Sequence, residues 1–163
     1  MVPKSTRRRV WNCIPFGYEL PMLLLHMRTV QSVVDSFLIT ESTTTHTTTS
    51  TKPLVLRDAL RNGSVPTGLS RMISVRTVDY QQGRSRYCRA GKWQNNPPRC
   101  FEAFHRFALV EMLLERAAPE DVAIFGDVDE IPKPEAISLL AQCYPFEQSP
   151  PPPFVILRLS LFK

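Results

Sequence analysis

The order of strand and helix patterns near the amino end constrains the fold most strongly. Residues 8–14 alternate enough to form a strand, residues 19–32 carry apolar side chains at helical spacing, and residues 33–40 are β-branched and apolar. A strand, a helix and a second strand in this order form a βαβ unit. The chain is therefore expected to fold as an α/β domain, with a sheet flanked by helices.

Later segments extend the same alternation. Residues 101–118 carry apolar side chains at three- and four-residue steps and are followed by Pro119, which ends a helix. Residues 42–51 are nearly all threonine and serine, and residues 79–99 are basic and rich in turn residues. Both are expected to be loops, the second a long functional loop or a flap over a site. Further strands are expected at 72–78, 122–125 and 154–162, with a further helix at 134–143. Because the last strand runs to the end of the chain, we interpret the carboxyl terminus as truncated.

Composition excludes several classes of protein. With 163 residues the chain is one domain or most of one, and 43% apolar with 21% charged residues excludes wholesale disorder. The formal charge of +5 is concentrated in patches at residues 4–9 and 84–99, which would attract an anion such as a nucleotide diphosphate. No partner role for nucleic acid is expected. No stretch approaches the roughly 20 apolar residues of a membrane span, so the chain as written is expected to be soluble and without an anchor.

An acidic turn follows the strand expected at residues 122–125. Gly126 is followed by Asp127, Asp129 and Glu130, and Pro132 closes the turn. Acids just past the carboxyl end of a strand lie where open α/β sheets bind ligands, and in extended geometry Asp127 and Asp129 would face the same side. Clustered carboxylates favour a hard cation, Mg²⁺ or Mn²⁺, that carries a phosphate. The alternative is a solvated loop whose acids cap the following helix.

Three other groups of residues have both a structural and a functional interpretation. Glu41, at the end of the second strand, is either an exposed loop acid or a carboxylate that faces a sugar site. Glu102 and Arg106 are either a surface pair at i, i+4 or place Arg106 toward phosphate. The histidines have no ligand spacing, so structural or exposed positions are expected for His26, His46 and His105.

Two features bear on the cellular compartment. Cys88 and Cys100 would bridge the basic loop in an oxidising compartment, and ordinary reduced cysteines are the equal alternative. Asn62, Gly63 and Ser64 form a glycosylation sequon that fits a secretory lumen, although so short a pattern often arises by chance.

Several separated blocks of the chain resemble glycosyltransferase family 17, the family of β-1,4-mannosyl-glycoprotein 4-β-N-acetylglucosaminyltransferase. Any one block is a weak signal, but their ordered combination is specific. The blocks are residues 8–13, 15–16, 19–20, 33–42, 52–54, 101–106 and 127–132.

The resemblance implies a GT-A-like nucleotide-sugar fold, with residues 8–163 as a partial catalytic domain and residues 1–7 as a basic tail. It implies metal-dependent, inverting β-1,4 transfer of N-acetylglucosamine from UDP-GlcNAc to a mannose of a protein N-glycan core. The location implied is the Golgi or ER lumen, with membrane association only through an anchor that this chain does not contain. By matching position, Asp127 and Asp129 would bind Mn²⁺ or Mg²⁺ and the diphosphate, and the donor pocket would also include Glu130, Glu41 and Arg106. The catalytic base is not identified.

Two alternatives to an active glycosyltransferase remain open. An apolar strand followed by Asp-x-Asp is also typical of haloacid-dehalogenase-type phosphatases, with Asp127 as nucleophile and Asp129 as acid/base. That class needs a further acidic pair, and after Pro134 only Glu135 and Glu147 are acidic. The second alternative is a non-catalytic remnant that keeps the fold and the nucleotide site.

Overall fold

The structure is a computed structural model that describes residues 2–3, 7–45, 50–79 and 97–144. The expected strand at 154–162 and most of the expected loop at 79–99 lie outside these residues, as do His46 and Cys88. The strands are β1 (Val2–Pro3), β2 (Val10–Phe16), β3 (Ser36–Ser42), β4 (Ile73–Val78), β5 (Val122–Phe125) and β6 (Cys143–Tyr144). The helices are α1 (Leu20–Val30), α2 (Val55–Arg61), α3 (Thr67–Ser70), α4 (Pro97–Leu114) and α5 (Pro134–Gln142).

Four of the strands form one sheet, in the order β4, β3, β2, β5. Every neighbouring pair in this sheet is parallel, and the central pair aligns Cys13 with Leu38. The sheet is flanked by helices, which confirms the predicted α/β architecture. The short strands β1 and β6 form a separate antiparallel pair.

Successive residues of β2 face opposite sides of the sheet, as the strand period of two requires. Val10, Ile14 and Phe16 face a core shared with α1, α2 and α5. Trp11 and Cys13 face a smaller core that includes residues of α4. Because β2 is buried on both faces, its near-continuous apolar sequence is what a central parallel strand requires.

The prediction that β5 is a buried strand was wrong for one of its faces. Val122 and Ile124 pack against the larger core, but Ala123 and Phe125 are exposed. The reason is position, since β5 is the edge strand of the described sheet while α4 packs against β2, β3 and β4.

Local boundaries also differ from those expected. Helix α4 starts at Pro97, inside the expected loop at 79–99, and ends at Leu114 rather than at residue 118. Helix α2 was not predicted. The expected loop at 42–51 is closed by an isolated bridge between Thr44 and Thr51.

In the part of the chain that the structure describes, no helix combines the length and apolar character needed to cross a membrane.

Candidate functional site

The acidic turn lies at the point where the strand order of the sheet reverses. From β2 the chain continues to β3 and β4 on one side, and it then returns to place β5 on the other side of β2. In open parallel sheets the crevice outside the carboxyl ends of two such strands is the usual ligand site. Residues 17–19 follow β2 and residues 126–130 follow β5, so both segments border this crevice.

Backbone hydrogen bonds fold residues 127–131 into a tight turn. The Glu130 amide donates to the Asp127 carbonyl at 3.1 Å, and the Ile131 amide donates to the Asp129 carbonyl at 3.1 Å. The expected extended geometry of Asp127 and Asp129 was therefore wrong, because the chain leaves strand geometry after Phe125.

The side chain of Glu130 stabilises this turn. Its Oε2 accepts a hydrogen bond from the Asp127 amide at 2.8 Å. A Cβ on Gly126 would lie 3.2 Å from the same oxygen, so glycine allows the close approach of this carboxylate. Glu130, which the resemblance placed in the donor pocket, thus has a structural contact within the turn.

Arg106 connects the acidic turn to α4, the helix on which it lies. Its Nη2 lies 2.7 Å from Oδ1 of Asp127 and 3.5 Å from Oε1 of Glu102. The predicted i, i+4 pair with Glu102 is therefore present. The contact with Asp127 places the guanidinium at the carboxyl end of β5, close to where a bound anion would lie.

A divalent cation at the acidic turn would need ligands beyond the carboxylates of the turn. Among the described residues there is no group of three or more His, Cys, Asp or Glu side chains that could bind a metal alone. Asp129 is exposed on the turn, and Asp127 is half-buried. Magnesium is commonly bound by one or two carboxylates, with substrate phosphates and water completing its shell. The oxygen ligands of Asp127 and Asp129 fit such a substrate-borne ion.

The side chain of Glu41 contacts the start of α2. The side chain is fully buried, and its two oxygens accept hydrogen bonds from the amides of Leu56 at 2.8 Å and Arg57 at 3.1 Å. Glu41 thus caps the first turn of α2, where a negative charge also complements the helix dipole.

Lys52 is a buried cation near the carboxyl end of β2, and its position was not predicted from the sequence. Its Nζ donates to the Gly17 carbonyl at 2.9 Å and lies 4.8 Å from the centroid of the Tyr18 ring. Burial lowers the pKa of Lys52, while the charges of Glu41 and Glu19 oppose that shift. Lys52 therefore ties the end of β2 to the segment that follows β3.

His26 contacts the acidic turn directly. Its Nδ1 lies 3.0 Å from the Val128 carbonyl, and its Nε2 lies 2.8 Å from Nδ2 of Asn12. Burial lowers the pKa of His26, and the hydrogen bond to Val128 opposes this shift. The structural interpretation of His26 was correct, but no sequence signal linked it to a turn 102 residues away. His105 is also buried, as a structural histidine would be.

The cysteines differ in their chemical state. Cys100 is disulfide-bonded, whereas Cys13 and Cys143 are free. Burial raises the pKa of Cys13 to about 12, so this thiol is unreactive at neutral pH.

Comparison with known proteins identifies the family of the chain. Neither the curated proteins nor the solved structures gave a match to the chain. A family model described as Glycosyltransferase family 17 matches residues 2–158, which includes every strand of the parallel sheet and the acidic turn. The parallel sheet flanked by helices is consistent with a GT-A-like fold. The chain belongs to glycosyltransferase family 17, and it has the role of a glycosyltransferase.

Proposed function

We propose that this glycosyltransferase uses UDP-GlcNAc and transfers N-acetylglucosamine to a mannose of a protein N-glycan core. The linkage proposed is β-1,4, formed with inversion, and the cofactor proposed is Mn²⁺ or Mg²⁺. Family membership supports the transfer of a sugar, and the acidic turn beside a basic side chain supports a diphosphate donor.

One observation carries this proposal. At the switch point of the sheet, the turn carries an exposed carboxylate, Asp129, and a half-buried carboxylate, Asp127, that pairs with the guanidinium of Arg106. A nucleotide diphosphate with a divalent ion needs both charges, because carboxylates bind the cation and arginine binds phosphate oxygens through two donors. The alternative of a loop whose acids only cap a helix does not account for Arg106.

The residues would divide the work on the donor. Asp129 and Asp127 would hold the cation, which would neutralise charge on the diphosphate leaving group. Arg106 exchanges its contact with Asp127 for a phosphate oxygen and stabilises the negative charge that develops there as the sugar bond breaks. We assign no catalytic base.

We further propose that the protein works in the Golgi or ER lumen on glycoprotein acceptors. The disulfide at Cys100 supports this location, because disulfides persist in oxidising compartments and are rare in the cytosol.

Calorimetric titration of UDP-GlcNAc with and without Mn²⁺ tests the donor site. Wild-type protein should bind only when Mn²⁺ is present, and Asp129→Ala should abolish binding. Asp58→Ala is the matched control, since Asp58 is also an exposed carboxylate but lies on α2 and pairs with Arg61. Absence of binding by the folded wild-type protein would contradict the donor role.

Transfer is tested separately from binding. Incubation with UDP-GlcNAc and an N-glycan acceptor should give a product one N-acetylglucosamine heavier by mass spectrometry. Binding without transfer would instead support a non-catalytic remnant. Hydrolysis of an aryl phosphate would favour the phosphatase alternative.

A further inference from the structure

A buried histidine joins the central strand to the peptide between the two acids of the turn. His26 lies on α1 and Asn12 lies on β2, and each is only 1% exposed. His26 contacts Asn12 through one ring nitrogen and the Val128 carbonyl through the other. Elements from three separate parts of the chain therefore meet at one imidazole.

The chemistry of these partners determines where the ring proton is. A carbonyl oxygen can only accept a hydrogen bond, so Nδ1 of His26 must carry the proton and donate it to Val128. In the neutral ring, Nε2 is then an acceptor, and the Nδ2 group of Asn12 supplies a donor to it. Asn12 thus complements the tautomer that the Val128 carbonyl requires, as the partner of the other ring nitrogen commonly does.

The hydrogen bond acts on the peptide that leads into Asp129. The Val128 carbonyl belongs to the peptide group between Val128 and Asp129, so holding its oxygen limits rotation of that group. Asp129 itself is exposed on the turn. The buried imidazole therefore restrains the backbone beside Asp129, the exposed residue that would bind the cation.

We propose that His26 is a positioning residue for Asp129, in the tautomer that the Val128 carbonyl requires and that Asn12 complements. The inference rests on the proposed function, because it assigns His26 a role in the binding of a cation and diphosphate by the acidic turn. Side chains that orient metal ligands in this way typically change metal affinity roughly 10- to 100-fold when replaced.

Two amide substitutions separate positioning from simple packing. In His26→Asn, the side-chain nitrogen replaces Nδ1 and can still donate to the Val128 carbonyl, but contact with Asn12 is lost. In His26→Gln, the longer amide reaches toward Asn12 and loses the bond to the turn. Binding of Mn²⁺ in the presence of UDP is measured by electron paramagnetic resonance, as the loss of the signal of free Mn²⁺. Thermal unfolding is measured in parallel.

The two variants should differ in affinity. His26→Gln should weaken binding of Mn²⁺ and UDP roughly tenfold, whereas His26→Asn should stay within about twofold of wild type. A side chain needed only to fill the core would give the reverse order, since Gln is closer to His in size and keeps the contact with Asn12. Equal losses in both variants, or the reverse order, would overturn the proposal. If wild type itself does not bind Mn²⁺ and UDP, it is the proposed function that fails.

A measurement on wild-type protein covers the case in which a variant does not fold. Nitrogen-15 spectra of the His26 ring should show a protonated Nδ1 and a bare Nε2 at neutral pH. The Nδ1 resonance should shift when Mg²⁺ and UDP are added, because the Val128 carbonyl lies next to the proposed ligand. A protonated Nε2 with a bare Nδ1, or no shift on saturation with Mg²⁺ and UDP, would exclude the positioning role.

Discussion

At the residue scale, the acidic turn is balanced by charge from another element. Asp127 and Asp129 would repel each other across a small distance, but Arg106 from α4 pairs with Asp127. The positive charge of Arg106 lowers the repulsion between the two carboxylates in the absence of a bound cation. A donor bound at this turn would therefore have to compete with the ion pair between Arg106 and Asp127.

Replacement of Arg106 should affect donor binding much more than folding. Arg106→Gln removes the charge that faces the proposed diphosphate, and we expect at least a tenfold loss in affinity for UDP-GlcNAc with Mn²⁺. Calorimetry measures this change. Arg116→Gln is the matched control, since both arginines pair with a carboxylate and their side chains are 39% and 38% exposed. Equal effects of the two substitutions would contradict a local role for Arg106.

His26 should make stability depend on pH in a defined direction. Burial lowers its pKa from the ordinary value of 6.5, so the unfolded chain takes up a proton at a higher pH than the folded protein. The unfolded state then binds more protons, and the free energy of unfolding should fall as the pH falls through and below 6.5. Urea unfolding between about pH 5.5 and 7.5 measures the slope. His26→Asn should reduce the slope, and an unchanged slope would show that His26 does not contribute to it.

At the scale of elements, α2 depends on a residue outside itself. The helix has seven residues and no side-chain cap of its own. Glu41, at the end of β3, supplies the acceptors for two of its first amides. Isolated helices of this length are unstable in water, so tertiary contacts must hold it.

Truncation of Glu41 should therefore destabilise the protein. Glu41→Ala leaves the buried amide of Leu56 and the part-buried amide of Arg57 without their acceptors, and it removes a negative charge near buried Lys52. We therefore expect a loss of about 3 kcal/mol in the free energy of unfolding. Denaturant titration followed by circular dichroism measures it. Asp58→Ala, on the exposed surface of the same helix, should change stability by no more than about 0.5 kcal/mol. A loss from Glu41→Ala as small as this would show that the cap is dispensable.

The elements also show what could be predicted from sequence and why. Strands β2 to β5 were anticipated from apolar and β-branched runs, because burial of these side chains is a local pattern. Helix α2 was missed because its cap comes from Glu41, 15 positions before the amide of Leu56. The exposed face of β5 depends on strand order, which no single strand encodes.

The candidate site was likewise only partly predictable. Asp127 and Asp129 were recognised because acids after an apolar strand form a short, local signal. The contacts of Arg106 and His26 with the turn span 21 and 102 residues and become visible only when α4 and α1 are packed on the sheet.

At the scale of the whole molecule, the sequon offers a test of compartment that is independent of catalysis. Asn62 is exposed at the end of α2 opposite the Glu41 cap, and Gly63 allows the turn there with a φ of 75°.

If the proposed luminal location is correct, the protein isolated from its native cells should carry an N-glycan at Asn62. Treatment with an N-glycosidase should then increase its mobility on a denaturing gel. Asn62→Gln should remove the shift, whereas Asn95→Gln, at a residue outside any sequon, should retain it. Unshifted wild-type protein would argue against a luminal location and leave the donor-binding experiments unaffected.

The position of β5 beside β2 has a consequence for how the protein is made. Val10 pairs with Val122, so the strand that starts the sheet must find a partner synthesised more than a hundred residues later. Contacts between such distant segments form slowly, because the long intervening loop must close first. Strands β2, β3 and β4 can associate as soon as they leave the ribosome, but the crevice between β2 and β5 cannot form until the acidic turn has also emerged. A partly made chain can therefore contain most of the sheet and still lack the place where the donor would bind.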